Sequence, residues 1–173
     1  MITLVTGGSK CGKSRFAENL LSDFEGEKIY IATMIPYGDD ALAAIERHRL
    51  MRSGKGFRTI EKYRDIADIS LPDNCGVLLE CLGNLCANEM FADGNISMPS
   101  EKICRDIFAL SQRVSRLVIV TNQVGSDGIS YPEGTADYIA QLGRINQYIA
   151  GKADCVVECV CGIPVVLKGA IPC

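Results

Sequence analysis

The 173-residue sequence lacks tryptophan altogether and contains a single histidine, His48. No apolar run approaches the roughly 18 residues that a membrane-spanning helix needs, and no basic segment precedes an apolar one near the N-terminus. The formal charge of −3 at pH 7 provides no basic field of the kind that attracts nucleic acid. We therefore expect a cytoplasmic protein that has no membrane span and no nucleic-acid partner.

Cysteine is abundant, but the nine cysteines have no framework spacing and include no C-x-x-C pair. Several lie within apolar runs, as in the segment at residues 155–161. A zinc site in that cluster is an alternative, although the only histidine is remote from it in sequence. Reduced, buried thiols that behave as small apolar side chains are the interpretation we favour.

Short apolar segments alternate with helical patterns along the whole chain. Strands are predicted at residues 2–6, 28–33, 75–81, 117–121, 155–160 and 165–167. Helices are predicted at residues 13–21, 39–52, 82–91, 103–114 and 136–150, the second with Leu42, Ile45 and Arg49 on one side. This alternation is typical of an α/β fold with a mostly parallel sheet flanked by helices. No linker or repeat divides the chain, so residues 1–173 are expected to form one domain.

The first predicted strand leads directly into a phosphate-binding motif, G-x-x-x-x-G-K-S. Its glycines allow a tight turn whose N–H groups point at phosphate oxygens, and the following helix presents further N–H groups. Lys13 can reach the β- and γ-phosphates, and the Ser14 hydroxyl can bind Mg²⁺. The predicted nucleotide-binding residues are Gly7, Gly8, Ser9, Lys10, Cys11, Gly12, Lys13 and Ser14.

Glu80 follows three aliphatic residues at the end of a predicted buried strand. A carboxylate at such a position is costly unless it is paired, and a magnesium site would pair it. We therefore predict Glu80 as the acidic partner of the phosphate loop and, with Ser14, as a magnesium ligand. A residue at a strand end that simply reaches solvent is the alternative.

His48 lies on the second predicted helix between two arginines. The flanking positive charges favour the neutral imidazole, which is the nucleophilic form. A lone histidine is more often a surface or core residue than a catalyst, so the residue type alone suggests a function and no more.

A set of motifs in fixed order carries a more specific signal. The first motif is T-G-G-x-x-x-G-K-S-R-x-A-E at residues 6–18. It is followed by I-A-T at residues 31–33 and by an I-x-x-H that ends at His48. Next come L-E-C-L around Glu80 with Asn88, then V-T-N-Q-V-G at residues 120–125 and G-R-I-N-Q at residues 143–147. Over nearly its whole length the chain resembles the bifunctional adenosylcobinamide kinases/adenosylcobinamide-phosphate guanylyltransferases of cobalamin biosynthesis.

That resemblance implies a RecA-like P-loop fold, a homotrimer and two reactions. ATP or GTP would phosphorylate the aminopropanol hydroxyl of adenosylcobinamide. GMP would then pass from GTP to that phosphate through a guanylylated histidine, whose position His48 occupies. Lys13, Ser14 and Glu80 would serve phosphate and Mg²⁺ binding, and the substrates would be small corrinoids and nucleotides.

The chain departs from the family pattern at several positions. Gln123 replaces the usual glutamate of T-N-E-V-G, Ala44 an arginine, Ala140 an aspartate and Cys11 a common serine. These changes leave two alternatives open, namely a monofunctional small-molecule kinase on the same scaffold and a non-catalytic nucleotide-binding regulatory protein.

Overall fold

A computed structural model describes residues 1–94 and 96–172. Within these ranges, the description does not extend to the side chains of Asp40, Ala41, Ala44, His48, Met51, Arg52 and Asp93. Cys173 also lies outside the described residues. The strands are β1 (Ile2–Gly7), β2 (Lys28–Ala32), β3 (Phe57–Glu61), β4 (Gly76–Leu79), β5 (Arg116–Val120), β6 (Cys155–Val160) and β7 (Ile163–Lys168). The helices are α1 (Lys13–Asn19), α2 (Gly38–Arg52), α3 (Leu82–Met90), α4 (Ser100–Ser111) and α5 (Glu133–Lys152), with short 3-10 helices at Ile66–Asp68 and Ala92–Gly94.

The strands form one seven-stranded sheet in the order β3-β2-β4-β5-β1-β6-β7. Every neighbouring pair is parallel except β6 and β7, which form an antiparallel hairpin. The expected mostly parallel α/β fold is therefore confirmed. Because parallel strands share one direction, β1, β2, β4 and β5 bring their carboxyl ends to the same edge, where α/β proteins bind ligands.

Alternate residues of the central strands pack on opposite faces of the sheet, as the two-residue period of a strand requires. On one face, Leu4 and Leu79 join a core closed by apolar residues of α3, α4 and α5. On the other face, Val5 and Leu78 pack with Ala17 and Leu21 of the α1 region. The central strands are thus buried on both sides, which explains why they appear in the sequence as continuous apolar runs.

Two expectations about local structure were incomplete. Strand β3 was not predicted, because this edge strand consists of exposed and half-buried residues and contains no apolar run. Helix α2 begins within one residue of its predicted start, and on the side that carries Leu42, Ile45 and Arg49 the Leu42 side chain is 52% exposed. No helix among the described residues is long and apolar enough to cross a membrane.

The cysteine interpretation is confirmed for five thiols and incomplete for the others. Cys75, Cys81, Cys86, Cys155 and Cys159 are buried and free. Cys11 and Cys104 are half-buried, and Cys161 is exposed at the turn between β6 and β7. The described residues contain no group of three or more His, Cys, Asp or Glu side chains arranged to hold a metal ion.

Candidate active site

The segments that follow β1, β4 and β5 surround a cleft of about 530 Å³ at the carboxyl edge of the sheet. Its walls include most of the phosphate loop, the start of α3 and one residue of α2. The lining residues are Ser9, Lys10, Cys11, Gly12, Lys13, Ser14, Arg15, Met34, Arg47, Glu80, Cys81, Asn84, Val120 and Asn122. Five separate segments of the sequence therefore meet in one concave site.

The phosphate loop takes its shape from glycines in conformations that other residues avoid. Gly7 has φ of 142°, and a Cβ there would lie 2.5 Å from the carbonyl oxygen of Cys159 on β6. Gly12 has φ of 97°, and a Cβ there would lie 3.3 Å from Cα of Gly162. The Gly162 amide donates a hydrogen bond of 2.9 Å to the Cys11 carbonyl. The loop is therefore braced against the β6–β7 turn.

Lys13 is the first residue of α1 and is only 6% exposed. Its ammonium group donates a hydrogen bond to the Gly8 carbonyl within the loop and lies 3.8 Å from Sγ of Cys11. A buried ammonium attracts anions strongly, because little water screens its charge. The structure thus brings Lys13 and Ser14 to the cleft, as the motif predicts.

Glu80 follows β4 directly and is 8% exposed. Its carboxylate accepts a hydrogen bond of 3.2 Å from the Thr33 amide, at the end of β2. The Thr33 hydroxyl in turn donates to the Cys81 carbonyl at 2.9 Å, which ties the two strand ends together. Glu80 therefore lines the cleft with Lys13 and Ser14 rather than reaching bulk solvent.

His48 belongs to α2, but its side chain lies outside the described residues. The preceding residue, Arg47, lines the cleft, so this helix contributes to the same site. The following residue, Arg49, bonds to Glu61 at 3.1 Å. One of the two flanking arginines is thus available to the cleft, and the other holds α2 to β3.

Asn84 and Asn122 were not predicted, although both lie in the cleft wall. The Asn84 amide N–H donates to Sγ of Cys81 at 3.4 Å, and the Asn122 side chain donates to the same sulfur at 3.6 Å. Burial raises the pKa of that thiol, so it stays protonated and neutral. Both asparagines follow strand ends, which is the signal that could have identified them.

Glu158 was also missed, and it bears on one departure from the family pattern. The Gln123 side chain donates a hydrogen bond of 2.6 Å to the Glu158 carboxylate, and the Gln123 backbone amide donates to the Gly7 carbonyl at 3.1 Å. A carboxylate therefore lies beside position 123 although residue 123 is itself an amide. Glu158 interrupts the apolar run of β6, and that interruption is its signal in the sequence.

A parallel sheet with a glycine-rich phosphate loop, a buried lysine and a carboxylate across the cleft defines a P-loop nucleotide-binding protein. A family model described as cobinamide kinase / cobinamide phosphate guanyltransferase matches residues 3–167. The chain belongs to this family.

Relatives match along nearly the whole chain. The bifunctional adenosylcobalamin biosynthesis protein CobU of Escherichia coli (strain K12) is 35% identical over 184 residues, which cover 97% of this chain and 100% of that protein. The protein of the same name from Salmonella typhimurium is 36% identical over 186 residues, with the same coverage. The bifunctional adenosylcobalamin biosynthesis protein CobP of Pseudomonas aeruginosa is 28% identical and covers 98% of both chains.

Among solved structures, a DnaB-like replicative helicase matches with a TM-score of 0.49 at 13% identity. The match takes in 91% of this chain and 47% of the helicase chain. So weak a likeness adds nothing on function.

Proposed function

We propose that this chain phosphorylates the aminopropanol hydroxyl of adenosylcobinamide and then transfers GMP to the new phosphate. The observation that carries the proposal is the convergence of Lys13, Ser14 and Glu80 on one cleft in a member of this family. One site can serve both nucleotide reactions, because both need a nucleoside triphosphate held by the same loop.

In the kinase step the acceptor hydroxyl oxygen attacks the γ-phosphorus and its proton passes to solvent, while the bond from that phosphorus to the bridging oxygen breaks to release the nucleoside diphosphate. The Lys13 ammonium moves from the Gly8 carbonyl to phosphate oxygens, where its charge stabilises the transition state. The Ser14 hydroxyl and the Glu80 carboxylate are oxygen donors of the kind that Mg²⁺ prefers, and we propose them as its ligands. When bound, the ion would neutralise part of the phosphate charge.

In the guanylyl step we assign His48 as the nucleophile. Its imidazole attacks the α-phosphorus of GTP, pyrophosphate leaves, and a phosphoramidate forms. The corrinoid phosphate then attacks the same phosphorus and restores the free histidine. Arg47 lines the cleft next to His48 in sequence and would offset the phosphate charge during both transfers.

The finer features are proposals as well. We propose that the enzyme uses ATP or GTP in the kinase step, acts in the cytoplasm and assembles as a homotrimer. Its partners are then the corrinoid and nucleotide substrates, with no nucleic acid among them. A net charge of −3 is in keeping with the last point.

The decisive experiment uses GTP labelled at the α-phosphate, followed by mass analysis of adenosylcobinamide incubated with the enzyme. We expect an acid-labile, base-stable label on the protein, and both the phosphate and the GDP-linked corrinoid as products. His48→Ala should lose the label and the GDP-linked product but keep phosphorylation. Lys13→Ala should lose all three.

Other outcomes separate the alternatives. A wild-type protein that phosphorylates the corrinoid but never acquires label is a monofunctional kinase, an outcome that the residues Ala44, Gln123 and Ala140 would then explain. Tight nucleotide binding without any corrinoid product would favour a regulatory protein and contradict the proposed function.

A further inference from the structure

A second depression lies beside the cleft and has a different character. It has a volume of about 470 Å³, and the residues that matter here are Ile35, Tyr63, Arg64, Asn88 and Phe91. We call it the Phe91 depression. Its walls combine aliphatic and aromatic side chains with an amide and a guanidinium group, a mixture typical of sites for amphipathic small molecules.

The segment that separates the two sites is held firmly. Met34 lines the cleft and the next residue, Ile35, lines the depression. The Asn88 side-chain amide donates to the Thr33 carbonyl at 2.8 Å and to the Tyr63 carbonyl at 3.0 Å. Since the Thr33 amide also donates to Glu80, one short hydrogen-bonded chain connects the floor of the depression to the carboxylate in the cleft.

Several large apolar side chains are exposed on this side of the cleft. Ile35 and Phe91 are each 46% exposed, and Tyr37, two residues beyond Ile35, is 88% exposed. A cluster of exposed apolar groups beside a depression with a polar rim is typical of a binding surface. A ligand that covered them would gain from the removal of this surface from water.

The chemistry of the acceptor indicates which ligand this is. The arm that carries the reacting hydroxyl is small, but the corrin macrocycle to which it is attached is not. A nucleoside triphosphate held by the phosphate loop would take up much of a cleft of about 530 Å³, and the macrocycle is far larger than its arm. The macrocycle must therefore lie outside, within the length of its arm from Glu80.

We propose that the Phe91 depression, together with Tyr37, binds the corrin macrocycle while its arm enters the cleft past Met34. The apolar ring faces would pack on Ile35 and Phe91, and the amide side chains at the ring edge would meet Asn88 and Arg64. The inference rests on the proposed function, because it takes the corrinoid as the acceptor. It adds the surface that selects that acceptor over a simple alcohol.

The test compares Phe91→Ser and Ile35→Ser with Ile163→Ser, whose side chain is 65% exposed on β7. Adenosylcobinamide binding is measured by equilibrium dialysis from corrin absorbance, and nucleotide binding with a fluorescent analogue. The first two variants should weaken corrinoid binding about tenfold each, as expected for the loss of an apolar anchor. Ile163→Ser should leave it unchanged, and all three should bind nucleotide like the wild type.

A truncated acceptor, N-acetyl-1-amino-2-propanol, supplies a second measurement. Its kcat/KM for phosphorylation should be the same in Phe91→Ser and the wild type, because this acceptor has no macrocycle and makes no contact with Phe91. Unchanged corrinoid binding in both variants would overturn the inference, as would an equal loss for both acceptors. A change in sedimentation with corrinoid affinity intact would instead assign the depression to a second copy of the chain.

The failure of this inference is distinguishable from the failure of the proposed function. If the wild type binds the corrinoid but transfers no phosphate to it, the proposed function fails and the depression stands. If the wild type phosphorylates the corrinoid and the variants do so with unaltered KM, the depression has no such role.

Discussion

Lys13 and Glu80 are charged side chains that are more than nine-tenths buried beside the same cleft. Burial of an ionised group costs free energy unless hydrogen bonds or an opposite charge offset it. Lys13 has one carbonyl partner, and Glu80 accepts a bond from the Thr33 amide. Both charged groups face a cleft in which water screens them little, so a charged ligand bound there would interact strongly with them.

Lys13→Met tests whether the buried charge of Lys13 serves ligand binding rather than stability. Methionine fills a similar volume without a charge, so the free energy of unfolding should stay within about 1 kcal/mol of the wild type or rise. Nucleotide affinity should fall about a hundredfold or more, since a buried charge-assisted contact is lost. Urea unfolding and nucleotide titration measure the two quantities. A variant that loses stability and keeps affinity would show that Lys13 is structural.

Tyr138 on α5 provides a prediction of pH dependence. Burial raises the pKa of its hydroxyl to about 12, with the Cys81 and Cys86 thiols adding to the effect. In the unfolded chain a tyrosine ionises near pH 10, so between about pH 10 and 12 the unfolded state binds fewer protons than the folded one. The stability contributed by the neutral hydroxyl is therefore complete below about pH 10 and is lost as pH rises toward 12.

The measurement compares urea unfolding of the wild type and Tyr138→Phe at pH 8.5 and at about pH 11. The wild type should lose more stability than the variant over this interval, because the variant lacks the titrating group. Equal losses would mean that the hydroxyl titrates alike in both states.

At the scale of elements, the two adjacent glycines of the phosphate loop, Gly7 and Gly8, differ in whether the loop has room for a side chain. A Cβ at Gly7 would meet a backbone carbonyl at 2.5 Å in a left-handed conformation, whereas a Cβ at Gly8 would meet nothing within 4 Å. Gly7→Ala should therefore cost about 2 kcal/mol or more of unfolding free energy, and Gly8→Ala less than about 1. Thermal unfolding of the pair checks this, and similar costs for both would contradict the loop geometry.

The strands that could be predicted are those that form apolar runs in the sequence. Strands β1, β4 and β5 are buried on both faces, so their apolar runs identified them and placed Glu80 at a strand end. Strand β3 lies at the sheet edge and includes Arg58 and Glu61, so its formation depends on hydrogen bonds to β2 that leave no apolar pattern.

The same distinction holds for the site. The phosphate loop was predictable because its function constrains neighbouring residues in one segment. Glu158 stands out as a charge within an apolar run, but its relation to Gln123 depends on the order of β5, β1 and β6, which no local pattern expresses. Asn122 likewise reaches Cys81 only through the pairing of β4 with β5, whereas the Asn84 backbone amide meets Cys81 locally, at the start of α3.

At the scale of the whole molecule, strand order also predicts where the structure opens first. Strands β1, β4 and β5 have hydrogen-bonded neighbours on both sides, while β3 and β7 lie at the edges. All six residues of β7 are exposed, including Leu167 at 58%. Amide hydrogen exchange in β4 and β5 should therefore follow global unfolding, and exchange in β7 should be faster by at least about a hundredfold.

The bond from the Gly162 amide to the Cys11 carbonyl adds a consequence for nucleotide binding. Because the phosphate loop rests on the β6–β7 turn, a bound nucleotide that orders the loop should also slow exchange at Gly162, while β3 stays unchanged. Mass spectrometry of exchanged peptides, with and without GTP at two protein concentrations, measures both effects. Slow exchange of β7 at high concentration alone would mean that self-association covers this edge, because only a partner strand or face could protect amides that the monomer leaves open.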